Sequence, residues 1–142
     1  MAVKTPRNLC VYCNAEVKRY PAKYCSQICQ MNWQYEEYIS RWKRGEESGI
    51  RLPGGLSNHI RRYMIDKHQS MCQECGWSKV NPYTGKIPLT IDHADGNWQN
   101  CAEDNLRVLC PSCHSLTPTY GALNKGSGRK HRIKTGDSTV GM

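Results

Sequence analysis

The sequence predicts a small α+β protein stabilised by bound zinc instead of one large apolar core. Three observations predict it. The 142 residues are 38% hydrophobic and include no Phe, which leaves little material for a core of ordinary size. Eight of the nine cysteines fall in short pairs, and chains short of core commonly rely on metal or disulfides. The segment from Lys86 to His114 reads as strand, polar loop, strand and short helix, a hairpin feeding a helix.

Taken in order, Cys10-x-x-Cys13 is followed after eleven residues by Cys25-x-x-x-Cys29. Tetrahedral zinc takes four soft ligands, and each short pair offers two sulfurs from one turn of chain. Two disulfides are the alternative. Met1 to Arg7 is polar and basic, unlike a secretory signal, and no run approaches the ~20 apolar residues of a membrane span. A cytosolic location follows, where paired cysteines bind zinc more often than they oxidise. Four cysteines leave no open coordination position, so this site is expected to be structural. The second pair leads into a helix over Ser26 to Arg44, with Ile28, Met31, Tyr35, Tyr38, Ile39 and Trp42 at helical spacing. Ser26 suits its N-cap, and Gly45 its stop. Residues 1–44 thus form a zinc module with a helix, and residues 45–55, rich in Gly and Pro, form a flexible linker.

The second domain spans residues 56–123. Ser57 is placed to cap a helix running to about His68, with Ile60, Tyr63 and Met64 on one face. His59 and His68 share no face and are expected to serve packing or the surface. Cys72-x-x-Cys75 finds its partner in Cys110-x-x-Cys113 after 34 intervening residues, which predicts a second structural zinc. Between them, Lys86 to His93 alternates with Ile87, Leu89 and Ile91 on one side, Ala94 to Asp104 is a loop, and Leu106 to Leu109 is the returning strand. Pro111 fits a first helical position, and the helix it starts carries His114.

The chemistry concentrates at the hairpin. Asp92 and His93 are neighbours, so on a continuous strand they would face opposite sides. They act together only if the strand ends there. Asp92 and His114 then supply an oxygen and a nitrogen to one divalent cation, with positions left open for water and a phosphate. An imidazole at His93 is suited to take a proton from water near neutral pH. Asn105 offers both donor and acceptor and is expected to pin the loop backbone behind His93. Asp95 suits a turn-capping role. Cys101 falls in no short pair and is expected to be an inert thiol.

Asp92-His93, Gly96-Asn97 and the run Asn105-Leu106-x-x-Leu109-Cys110-x-x-Cys113-His114 together resemble the HNH endonuclease family. The likeness extends over Cys72 to about Leu123, including Cys75-Gly76-Trp77 and Leu116 to Gly121. The paired-cysteine module before it also looks like that of zinc-ribbon-bearing HNH proteins of bacteriophages and bacteria. The resemblance implies a ββα-metal core. It implies His93 as general base, Asn105 as middle asparagine, His114 as catalytic-metal ligand and Asp92 as the acidic ligand. It further implies phosphodiester hydrolysis with Mg2+, Mn2+ or a similar metal, leaving a 5′-phosphate and a 3′-hydroxyl. Cys101 departs from the pattern, since such proteins usually carry Asn or another polar residue there.

The charge balance, 20 basic against 12 acidic residues, favours a polyanionic partner, most simply DNA, with RNA also compatible. Arg129, Lys130, Arg132 and Lys134 lie in a Gly- and Ser-containing tail, residues 124–142, expected as a disordered basic arm that holds phosphate. A rival reading is a non-catalytic zinc-finger DNA-binding or packaging accessory protein. It accounts for the zinc pairs and the charge but not for Asp92, His93, Asn105 and His114. A single site per chain cuts one strand, so double-strand cleavage calls for a homodimer or two successive nicks. The setting, a bacterial or phage-infected cell, leaves open other DNA-processing partners.

Overall fold

The structure, a computed structural model, describes residues 7–19 and 22–123. The tail expected to carry Arg129, Lys130, Arg132 and Lys134 lies outside the described residues. In chain order the elements are α1 (Gln27–Lys43), α2 (Asn58–Lys67), β1 (Thr90–His93), β2 (Leu106–Leu109) and α3 (Pro111–Ser115), with single 3-10 turns at Glu103–Asn105 and Gly121–Leu123. This is a small α+β architecture. The chain divides into two compact units, Met1–Glu47 and Ser48–Met142. Among the described residues no helix is long and apolar enough to cross a membrane.

In the first unit a short bridge between Leu9 and Glu16 folds the Cys10/Cys13 knuckle back on itself. Asn14 takes a positive φ of 65° at its tip, a conformation Asn tolerates better than most residues. The side chain of Ser26 accepts from the backbone N–H of Cys29 at 3.2 Å and starts α1, so the cap also fixes the second cysteine pair. The helix ends at Arg44, and Gly45 follows with a φ of 79°. Its apolar spacing is only half used. Ile39 and Trp42 are buried, whereas Ile28 and Met31, expected on the same packed face, are 71% and 56% exposed.

The second unit is built on the antiparallel pair β1–β2, in which Thr90 faces Leu109, Ile91 faces Val108, Asp92 faces Arg107 and His93 faces Leu106. Strand β1 is shorter than the Lys86–His93 run expected from alternation. Pro88 has no N–H for a ladder, and the backbone turns beside it, with Leu89 N–H donating to Ile87. Leu89, Ile91, Leu106, Val108 and Leu109 form the core with Ile60 and Met64 of α2, each at most 8% exposed. Ser57 caps α2 through the His59 N–H at 3.2 Å. The hydroxyl of Tyr63 and the ammonium of Lys67 both reach Glu103 Oε2, at 2.8 and 2.7 Å, tying α2 to the turn that launches β2.

Part of the expected flexible linker is folded onto this unit. Ile50 bridges Leu56, Arg51 N–H donates to Gly55, and Ser57 N–H donates to Gly49. Gly49 has a φ of 81°, and a Cβ there would lie 2.7 Å from both Cys101 Cβ and Ile60 Cδ1. Gly49→Ala combines a strained backbone with overpacking, so it is expected to lower stability by about 2 kcal/mol or more. A urea titration of the two proteins checks this.

Candidate active site

Both cysteine sets converge. Cys10, Cys13, Cys25 and Cys29 bring their sulfurs within 4.8 Å of one another, and so do Cys72, Cys75, Cys110 and Cys113. Separations of 3.4 Å (Cys13–Cys25), 3.5 Å (Cys25–Cys29) and 3.7 Å (Cys75–Cys110) are far longer than a disulfide bond of about 2.05 Å. They approach the roughly 3.8 Å between two sulfurs on one tetrahedral zinc with bonds of about 2.3 Å. The disulfide alternative is thereby removed, since every cysteine is free. The thiols within each set differ in acidity. The backbone N–H of Cys13, helped by those of Cys25 and Tyr12, brings the Cys10 thiol down to about 6. The neighbouring thiols of Cys13 and Cys29 push Cys25 up to about 12. In the second set burial opposes ionisation of Cys72, but the N–H groups of Cys110, Cys75 and Glu74 outweigh it and bring the thiol to about 6. Cys113 is pushed up to about 12 by Cys110 and then Cys75.

The second set also shapes the hairpin. Gln73 N–H donates to Val108 O at 2.8 Å, so the Cys72 knuckle is stitched to the strand that leads into Cys110. Cys110 then caps α3, its sulfur accepting the Cys113 N–H at 3.4 Å, and Pro111 occupies the first turn. One turn further, α3 presents His114 toward β1.

The structure places Asp92, His93 and His114 around one open cleft of about 190 Å³, which Gly96, Trp98, Thr119 and Tyr120 also line. Asp92 and His93 reach the same cleft because β1 stops at His93 and the chain turns at Ala94–Asp95. Asp92 Oδ1 lies 3.7 Å from His114 Nε2. Two ligands of one ion with bonds of about 2.1 Å stand roughly 3–4 Å apart, so this oxygen and nitrogen suit a hard divalent cation. The carboxylate is 8% exposed, and its other oxygen accepts from Arg107 at 2.7 Å. Its two oxygens are therefore divided between a guanidinium and the cleft. The ring of Tyr120 meets His114 edge-on, with centroids 5.2 Å apart, and limits how that imidazole can turn.

Asn105 is 9% exposed and lies behind the turn. Its Oδ1 accepts from Asp95 N–H at 3.1 Å, and its Nδ2 donates to Asp95 Oδ1 at 2.9 Å and to Asn100 O at 2.8 Å. Its carbonyl accepts from Ala94 N–H at 2.8 Å, which prolongs the ladder past His93. Asp95 in turn accepts from Asn97 N–H and Asn100 Nδ2, both at 2.8 Å. The Asn100 and Asn97 contacts, with that of Asn105, lower the pKa of Asp95 below the usual carboxylate value. Asp95 is spent on the turn and does not line the cleft.

Sequence reasoning missed Arg107. Its signal is cross-strand register: once β1 and β2 pair, the residue opposite Asp92 is a cation. It also gave no role to Trp98, Thr119 and Tyr120, whose place in the cleft depends on loop geometry.

Two strands and a short helix, with a carboxylate and imidazoles in their cleft and four cysteines gathered where strand meets helix, define a small ββα scaffold with a four-thiol group that could hold a metal ion. Over 81 residues, 56% of its length, the chain is 38% identical to the H-N-H endonuclease F-TflIV of Escherichia phage T5. The match spans 34% of that protein, so the chain covers about a third of the relative it matches. No family model and no solved structure matches the chain.

Proposed function

We propose that the protein is a metal-dependent endonuclease of the HNH type that hydrolyses phosphodiester bonds in DNA. One observation carries this reading. Asp92 Oδ1 and His114 Nε2 stand 3.7 Å apart in a cleft that His93 also lines. The likeness to the phage T5 protein, whose name states an H-N-H endonuclease, supports it.

Asp92 and His114 would hold Mg2+, Mn2+ or a similar ion, which would supply charge stabilisation to the phosphate and the departing oxygen. Arg107 holds one oxygen of Asp92, so the other is presented to the cleft in a fixed direction. His93 takes a proton from the attacking water. Asn105 keeps the turn after His93 rigid, and Tyr120 keeps the His114 ring in place. Hydrolysis in this sense leaves a 5′-phosphate and a 3′-hydroxyl. The two cysteine sets hold structural zinc, and the net charge of +8 suits a DNA backbone.

Nicking of supercoiled plasmid tests the proposal. Cleavage is expected with Mg2+ or Mn2+ and is expected to stop when EDTA removes the weakly held ion. A protein that binds the plasmid but never cuts it, whatever the metal, would be a binding module. Loss of even the partner of a metal-bound group costs about 10- to 100-fold. His114→Ala, which removes a ligand itself, is therefore expected to weaken Mn2+ binding and cleavage at least that much. Calorimetric titration with Mn2+ and single-turnover cleavage read the two effects separately.

A further inference from the structure

We propose that the loop before β1 is a DNA contact apart from the cleft, in which Tyr83 stacks on a nucleobase while Lys79 and Lys86 hold the phosphates beside it. The proposal rests on the reading of the protein as one that acts on DNA, and it uses no residue of the cleft that holds Asp92, His93 and His114.

Tyr83 is 95% exposed, and among the described residues its hydroxyl has no hydrogen-bond partner. The backbone beneath it is closely tied. Asn81 Oδ1 accepts the N–H groups of Tyr83 and Thr84 at 2.8 and 3.4 Å. Asn81 N–H donates to Lys86 O, and Gly85 N–H donates to Asn81 O, both at 2.8 Å. Pro82 fixes its own φ, and Gly85 takes a φ of 70° that closes the turn. A tyrosine displayed on such a turn has only its two side-chain torsions to lose, so little entropy opposes its binding to a partner.

An isolated exposed aromatic residue would mean little, but Tyr83 is not isolated. With Trp77, Val80, Pro82 and Pro88 it walls an open groove of about 270 Å³. Lys79 also lines that groove, and no carboxylate does. Among the described residues neither Lys79 nor Lys86 is in an ion pair. An apolar groove rimmed by unpaired cations suits an occupant with a flat apolar face and an anionic edge, which describes a nucleotide within a strand. A second copy of this chain, itself carrying a net charge of +8, would set like charges against each other. The groove is also close to the cleft. Pro88 is a wall of the first and Asp92 of the second, and the stretch of chain joining them spans at most about 14 Å. That is about four nucleotide steps of roughly 3.4 Å, so one duplex reaches both.

The test uses the zinc-loaded full chain and a short fluorescent DNA duplex, without Mg2+ or Mn2+, so that binding is read in the absence of cleavage. Tyr83→Ala is expected to raise Kd about tenfold, and Tyr83→Phe, which keeps the ring, to leave it within about twofold. The slope of log Kd against log salt is expected to stay the same in Tyr83→Ala and to fall by about 0.9 in each of Lys79→Gln and Lys86→Gln. These side chains are exposed, so circular dichroism is expected to show the fold unchanged in every variant. An unaltered Kd in Tyr83→Ala would overturn the proposal. So would a changed oligomeric state in that variant with DNA affinity intact, which would give the groove to a second copy. A tenfold loss of affinity in a protein that never cuts DNA would uphold the contact and reject the nuclease. Absence of DNA binding by the unaltered protein would reject both.

Discussion

His93→Ala is expected to abolish cleavage while leaving the fold and the bound zinc intact. The expectation separates chemistry from structure because the two are carried by different residues here. The turn after β1 is held by Asn105 and Asp95, through contacts of 3.1, 2.9 and 2.8 Å that do not involve the His93 ring. The residues that could hold zinc are all cysteines. The backbone of His93 keeps its place opposite Leu106 whatever its side chain. What would disappear is the proposed base, a contribution of about 10²–10⁴-fold. Single-turnover cleavage of a defined duplex at saturating Mg2+ measures the loss. Circular dichroism and zinc analysis check that nothing else has changed. Full cleavage by this variant would remove the base assignment and leave His93 as a wall of the cleft.

What could be read from the chain alone divides along physical lines. The ends of α1 and α2 were legible because Ser26, Gly45 and Ser57 act on backbone groups within a few residues. The run Leu106–Leu109 was legible because three of its four residues are buried, which leaves a plain apolar signal. The fold class followed from cysteine spacing, since four thiols drawn together dictate which segments meet. The length of β1 was misjudged, because alternation continues through Ile87 while Pro88 cannot join a ladder. Ile28 and Met31 show that helical spacing names a face without saying how much of it is covered. The Gly-rich stretch after α1 shows the reverse error. Gly49 is there for close approach to Cys101 and Ile60, which a composition argument reads as looseness. The place of Arg107 depends on a partner fifteen residues away, through cross-strand register.

Cys72→Ser and Cys110→Ser are each expected to unfold the second unit, by an argument that turns on how little else holds it. Among the described residues its sheet has two strands, and α3 is five residues long, too short to persist by itself. Cys110 ends β2, caps α3 with its sulfur and belongs to the four-thiol set, so it joins the strand to the helix that carries His114. Cys72 anchors the knuckle whose Gln73 pairs with Val108. Zinc binding to such sets is worth about 10–16 kcal/mol in small zinc-finger peptides, whereas the net stability of a domain is about 5–15 kcal/mol. Losing most of the first quantity would match or exceed the second. Each serine variant is therefore expected to lose the metal of its own set, the dispersed amide signals of residues 48–123 and all cleavage. A soluble, fully active variant with one zinc fewer would show that the apolar packing of Ile60, Met64, Val108 and Leu109 holds the hairpin unaided, and that the cysteines serve some end other than folding.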